Sequence, residues 1–310
     1  MLTQERLEQM LASGGVNEAA RQLNECGWED MTGMNDEEIN ASLAARRSAM
    51  FSELEKLVPE KAVVRVFRLK YDYHNAKAIV KGEGASVAVD GLLSKAGSVE
   101  RERLERAFRE NDFRFVPGEL GKAMNEAKSL LARTGNPQLA DFVLDKAYFA
   151  ELTALSAEVS DPYLKSYVTL LIDCANLRSC VRCLRMGKDA EFLRSALIAG
   201  GTVGESRILQ GVFSGEGVNG LYAPTALKEA AAIGAEAAQG GTLTVFEREC
   251  DNTVNRFLRG ARMTGFGSPL VVGYIAAEEN NITAVRMVLT GLKAGIAPER
   301  LKERLRECYV

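Results

Sequence analysis

Histidine is almost absent from this 310-residue chain, which has a single one, His74. That excludes a multi-histidine metal site and leaves no catalytic triad to assemble. Six cysteines have no paired framework, and nothing resembles a signal peptide, which points to a reducing, cytosolic setting. No apolar run approaches the roughly 18–20 residues needed to span a bilayer. Any membrane role must therefore be played from the water side. There is no basic excess: the formal net charge is −3 with both signs well mixed, which argues against a nucleic-acid protein. Only seven prolines and little β-branched alternation leave a mainly helical chain as the expectation. What is plentiful is apolar content, 46% of residues, enough for one sizeable core or several smaller ones.

The most informative stretch is Tyr71-Asp72-Tyr73-His74-Asn75-Ala76-Lys77, because it has echoes. Ile172-Asp173-Cys174-Ala175-Asn176-Leu177-Arg178 repeats its skeleton, an Asp, then an Asn three residues on, then a base two further. A fainter copy ends in Asn281-Ile282-Thr283-Ala284-Val285-Arg286. The bases at 77, 178 and 286 are separated by 101 and 108 residues, which suggests three copies of one unit. A proline opens each motif helix (Pro59, Pro162, Pro269), and a glycine follows each motif (Gly82, Gly187, Gly291). The later glycine spacing of the middle copy predicts about one extra helical turn there. The units are expected at 1–111, 112–201 and 202–310, as parts of one compact chain rather than independent domains.

Taken in order, the chain reads as helix throughout. Glu5 to Leu11 carries apolar residues at helical spacing and Ser13-Gly14-Gly15 stops it. Asn17 is the expected cap of the next helix, and Asn35-Asp36-Glu37-Glu38 starts another. The motif helix after Pro59 is expected to end at Lys81-Gly82-Glu83-Gly84, with a small-residue segment over 85–97 and an exposed helix over 99–109 begun by Ser98. Asn136-Pro137, Asp161-Pro162 and Gly267-Ser268-Pro269 mark further starts. In the helix containing Leu170 to Leu184, apolar nearly all round, Ser166, Thr169, Asp173 and Asn176 form a polar stripe. Buried polar groups need partners, so the stripe is expected to meet a neighbouring helix. Basic residues crowd the C-terminal ends of the motif helices, where capping electrostatics and a shared binding role are both open readings.

Other motifs dissolve on inspection. Cys180-Val181-Arg182-Cys183 lies inside a helix with no second CxxC, and reads as reduced core cysteines rather than a zinc or redox site. Gly200-Gly201-Thr202-Val203-Gly204-Glu205-Ser206 has the glycines of a phosphate loop without its Lys-Ser/Thr ending or preceding strand. His74 beside Asp72 could serve as a general base, yet reads first as a hydrogen-bonding residue on the motif helix. The residues alone lead to a helical scaffold with no cofactor and no metal.

The heptad at 71–77 resembles the YDYHNLK signature of the V/A-type rotary ATPase central-stalk subunit, called C in prokaryotes and d in eukaryotes. Asp145-Lys146-Ala147-Tyr148-Phe149 is similar to that family's D-x-x-Y-F segment, and 172–178 to its second repeat signature. Asp251-Asn252, Phe266-Gly267-Ser268-Pro269 and Tyr274 to Glu278 are similar to its C-terminal block. The likeness covers roughly residue 45 to the end. The third signature departs from the family's E-x-E-I-x-N-L-R, with Asn281 for the second Glu and Ala284-Val285 for the Asn-Leu pair, while Arg286 remains. The opening helix is expected to be shorter than usual.

The resemblance implies an all-α funnel of three pseudo-threefold helical bundles. It implies a non-catalytic, single-copy rotor subunit of a complex that hydrolyses or synthesises ATP, peripheral on the cytoplasmic face of the membrane. Its partners would be the proteolipid rotor ring and the D–F axle. The signature residues are Tyr71, Asp72, His74, Asn75, Lys77, Asp173, Asn176, Arg178 and Arg286, read as structural pins rather than catalysts. The alternatives are a soluble helical-repeat scaffold with no ATPase connection and, more remotely, a helical enzyme using His74 and Asp72.

Overall fold

Helix starts follow the side chains able to cap them. A computed structural model of the chain describes residues 2–85, 87 and 89–309, and among these there is no strand. The helices are α1 (Gln4–Leu11), α2 (Val16–Glu25), α3 (Asp36–Leu57), α4 (Lys61–Ala85) and α5 (Arg101–Glu110). Then come α6 (Gly118–Thr134), α7 (Pro137–Ala157), α8 (Pro162–Arg185), α9 (Ala190–Ala196) and α10 (Glu205–Val212). Last are α11 (Gly217–Tyr222), α12 (Lys228–Ala238), α13 (Leu243–Arg259), α14 (Ser268–Lys293) and α15 (Pro298–Arg304). Asn35 caps α3 in a reciprocal capping box with Glu38. Asn136 and Asp161 cap α7 and α8, with proline in the first turn of each. Asn17 does not cap α2: Gly15 holds that position, and the Asn17 carboxamide instead accepts from the Gly33 amide at 3.1 Å.

The long helices α4, α8 and α14 each centre one apolar core. The first gathers α4, α6 and α7 with the N-terminal halves of α8 and α14. A second surrounds the later part of α8 with α9 to α13. The third joins both ends of the chain: Leu7, Leu23 and Leu43 pack with Ile282, Val285 and Leu301. Alanine-rich α12 packs closely because Gly234 leaves room for Phe246 and Val181.

The three long helices also end alike. Backbone bonds run from Val87 N to Gly82 O (2.9 Å), from Lys188 N to Cys183 O (3.0 Å) and from Ile296 N to Gly291 O (2.9 Å). Each acceptor lies five residues after the motif base, so the middle helix has no extra turn. Gly187 and Gly295 take the left-handed position just past the end (φ 62° and 70°), where a Cβ would be strained. Gly82, Gly84 and Gly291 sit inside their helices rather than terminating them. They are glycine because Val89, Leu131 and Leu301 occupy the space of their missing Cβ atoms. Pro59 stands just outside α4, unlike Pro162 and Pro269, which lie in the first turn of theirs. The small-residue segment expected over 85–97 includes positions 86 and 88, outside the described residues.

Candidate functional site

Each of the first two motifs clasps a connecting loop to its own helix. Asn75 Nδ2 donates to the Ser94 carbonyl at 2.8 Å, and its Oδ1 accepts from the Ser94 amide at 2.8 Å. Asn176 does the same to Ile198, at 2.8 and 2.9 Å. One turn earlier, Asp72 Oδ1 accepts from the Val99 amide at 2.9 Å, and Asp173 Oδ1 accepts from Thr202 at 2.7 Å. Gly97 and Gly201 border these carboxylates, and a Cβ on either would collide with the Asp oxygen. The Val99 amide is thus engaged by Asp72, and α5 starts only at Arg101. The partners of the α8 stripe are loop peptides rather than a neighbouring helix. Ser166 lies outside the arrangement, exposed, with its hydroxyl donating to the Pro162 carbonyl.

Burial shapes the electrostatics of the clasps. Desolvation pushes Asp72 up to about 6 against the pull of the Val99 and Ser98 amides, and it raises Asp173 in the same direction. His74 Nε2 lies 3.0 Å from the Leu92 carbonyl at an exposed position, so it joins the same loop clasp. No hydrogen bond between His74 and Asp72 occurs among the described residues, which withdraws the geometric basis for an acid–base pair.

The bases after the clasps tie neighbouring helices together in one pattern. Lys77 pairs with Asp145 and Lys81 with Asp141, joining α4 to α7. Arg178 pairs with Asp251 and Glu247, and Arg182 with Glu247, joining α8 to α13. Bases four apart meet acids four apart at both seams, one turn on each helix. Burial opposes the Arg178 charge, but Asp251 and Glu247 hold it firmly protonated. These pairs are more than capping of helix ends.

The third motif departs from the pattern. Among the described residues Arg286 makes no ion pair, and Asn281 reaches only Glu278, at 3.4 Å. Helix α14 meets α3 through a seam of opposite sign: α14 supplies the acids Glu278 and Glu279, and α3 supplies Arg46 and Arg47. Lys70 and the Tyr71 hydroxyl of α4 also bind Glu279. Burial alone would raise the Glu279 carboxyl, yet Lys70 and Arg47 bring it below its ordinary value. Tyr71 therefore pins α4 to α14 rather than to its own unit, and its hydroxyl is pushed up by burial and by Glu279.

One arrangement was missed in the sequence although its signal was present. Asn252-Thr253-Val254-Asn255 on α13 has the same Asx-x-x-Asn spacing as the two clasps. Asn252 Oδ1 accepts from the Glu307 amide at 2.9 Å, and Asn255 Nδ2 donates to the Glu307 carbonyl at 2.8 Å. The C-terminal strap is thereby fixed to α13, with Arg306 sharing Asp251 with Arg178.

These elements border an open cavity of about 420 Å³. Val66 and Lys70 of α4, Tyr167 and Leu171 of α8, and Ala276 and Glu279 of α14 face it. Lys70, Leu171 and Glu279 are separated by the same 101 and 108 residues as the motif bases. The four cysteines near α8 are inert: Cys174, Cys180, Cys183 and Cys250 are buried, and burial pushes the Cys174 thiol up to about 12. Among the described residues no group of three or more His, Cys, Asp or Glu could hold a metal ion, and no helix is long and apolar enough to cross a membrane.

Fold and site together define an all-helical protein whose buried polar residues hold loops and helices in place. Comparison with known proteins names the family. Residues 1–304 match the family described as ATP synthase (C/AC39) subunit, and the chain belongs to it. It is similar to the C subunit of the V-type sodium ATPase of Enterococcus hirae, with 22% identity over 274 residues, 88% of this chain and 84% of that one. The C subunit of the V-type ATP synthase of Thermus thermophilus is 22% identical over 293 residues, 89% of this chain and 84% of its own. The C subunit of the A-type ATP synthase of Pyrococcus furiosus is 25% identical over 146 residues, covering 45% and 39% of the two chains. Family membership favours a rotary-ATPase subunit over the unrelated helical scaffold.

Proposed function

We propose that this chain is the non-catalytic socket of a V/A-type rotary ATPase, present in one copy, which couples the D–F axle to the proteolipid rotor ring and passes torque between them. The observation that supports the reading is a cavity faced by α4, α8 and α14 at positions that share the motif spacing. A ring is wide and an axle narrow. Three similar units about an axis, divided near 111 and 201 as the motif spacing suggests, provide a broad face and a central seat in a funnel-like shape.

Torque transfer requires resistance to twisting. An exposed ion pair contributes only about 0.2–1 kcal/mol, but several pairs in the same register, backed by buried clasps, distribute the load. The signature residues Asp72, Asn75, Lys77, Asp173, Asn176 and Arg178 act here as fasteners between helices and loops. Met263 and Phe266, nine-tenths exposed at 92% and 90%, offer apolar surface to a partner beside α14. The chain works from the cytoplasmic face as a peripheral subunit, while ATP and the transported ion are handled elsewhere in the complex. Reconstitution tests this: the purified chain is expected to bind both rotor-ring vesicles and the isolated D–F axle. Failure to bind either overturns the proposal.

A further inference from the structure

The reversed third seam leaves Arg286 without an ion pair among the described residues. At the first seam Lys77 meets Asp145, and at the second Arg178 meets Asp251. Arg286 stands at the same register of α14, yet α3 carries no Asp or Glu between Glu38 and Glu53 to receive it. The carboxylates that α14 itself offers, Glu278 and Glu279, are engaged by Arg46, Arg47, Lys70 and Tyr71. Partial burial of the Arg286 side chain and the nearby Arg47 disfavour its charge, while Tyr71 and Glu279, both already engaged with each other and with Lys70 and Arg47, favour it only in part. The result is an exposed guanidinium with no ion pair among the described residues, a position that invites an anion. Thr283 and Met287, three residues before and one after it, both line the cavity, and Arg286 stands beside it on the exposed side of α14.

We propose that Arg286 anchors a carboxylate on the foot of the D–F axle, the acid that α3 does not supply. This rests on the rotor-socket reading above. A partner docked against α14 beside the cavity would complete the third seam with the same base–acid chemistry that the chain completes by itself at the other two. A single guanidinium in the register of two base–carboxylate pairs favours an Asp or Glu side chain as its ligand.

The test measures the affinity of the purified chain for the purified D–F axle over a range of salt. Arg286→Glu is expected to weaken binding at least tenfold at low salt and to flatten the salt dependence, while Arg286→Lys stays near wild type. Arg103→Glu, an equal charge change on exposed α5, serves as control and is expected to leave binding unchanged. Unaltered circular dichroism and thermal unfolding establish that Arg286→Glu is folded, and Arg286→Gln provides a milder second variant. A charge-reversing Asp/Glu→Lys substitution in the axle foot is expected to restore binding to Arg286→Glu. If wild type and Arg286→Glu bind equally, the inference is overturned while the socket reading stands. Loss of rotor-ring binding alone would reassign Arg286 to the ring and also overturn it. If the wild-type chain does not bind the axle at all, both proposals fail.

Discussion

Arg47 Nε donates to Glu279 Oε1 at 2.9 Å, and the two side chains are only 10% and 9% exposed. This pair bridges a helix near the N-terminus to one near the C-terminus, and so closes the chain on itself. Removing one partner strands the other charge in a desolvated site. Glu279→Gln is expected to destabilise the protein by about 3–5 kcal/mol, read as a lower urea midpoint. Adding Arg47→Met to that variant should recover part of the loss. Further destabilisation by the second change would show that the pair is not what holds the seam.

The two asparagine clasps differ in burial. Asn176 and Ile198 are both buried, whereas Ser94 is half-buried and can turn to water. Each orphaned buried backbone group costs about 1–3 kcal/mol. Asn176→Ala should therefore cost more than Asn75→Ala, and amide exchange should rise first at residues 198–203. Equal losses, or none at Asn176, would contradict the clasp.

Acid titration should report Asp72. Its folded pKa, about 6, lies above the unfolded value near 3.9. The stability this group contributes is fully present below the unfolded value and is lost as pH rises through 6. Asp173 is shifted in the same direction and adds to the effect. A rise of this size corresponds to up to about 3 kcal/mol. Asp72→Asn should flatten the fall in stability between about pH 4 and 6, measured by urea unfolding at each pH. An unchanged profile would remove Asp72 as its source.

Glycines at the clasps are there for space. Gly97→Ala and Gly201→Ala drive a methyl into the Asp72 and Asp173 carboxylates and should each cost about 1–3 kcal/mol. Gly91→Ala, with open space around it, should be near neutral. A tolerated Gly201→Ala would show that the loop can move away.

Thiol labelling separates the cysteines. Cys26 and Cys308, half-buried, should react with a water-soluble disulfide reagent in the native protein. The other four should react only after unfolding. Rapid native labelling of Cys180 or Cys183 would reopen the CxxC as a chemical site.

Helix type and most starts were legible because they depend on local chemistry: caps, prolines and spacing along one stretch of chain. Asn35, Asn136 and Asp161 show this directly. Helix ends were read less well, because Gly82 and Gly291 answer to Val89 and Leu301, which lie on other segments. The Asn252–Asn255 clasp was equally legible in spacing, but its partner, Glu307, lies 55 and 52 residues away in sequence.

By itself the sequence determined an all-helical chain and the family its motifs mark. Tertiary structure alone decided what the motifs do. The heptad at 71–77 became a loop clasp and a seam, with Tyr71 reaching across to Glu279. Only folding brought α3 against α14 and revealed that this seam has its charges exchanged. The physical reason is that a side chain's partner is set by which helices pack together, and no spacing along a single chain encodes that contact.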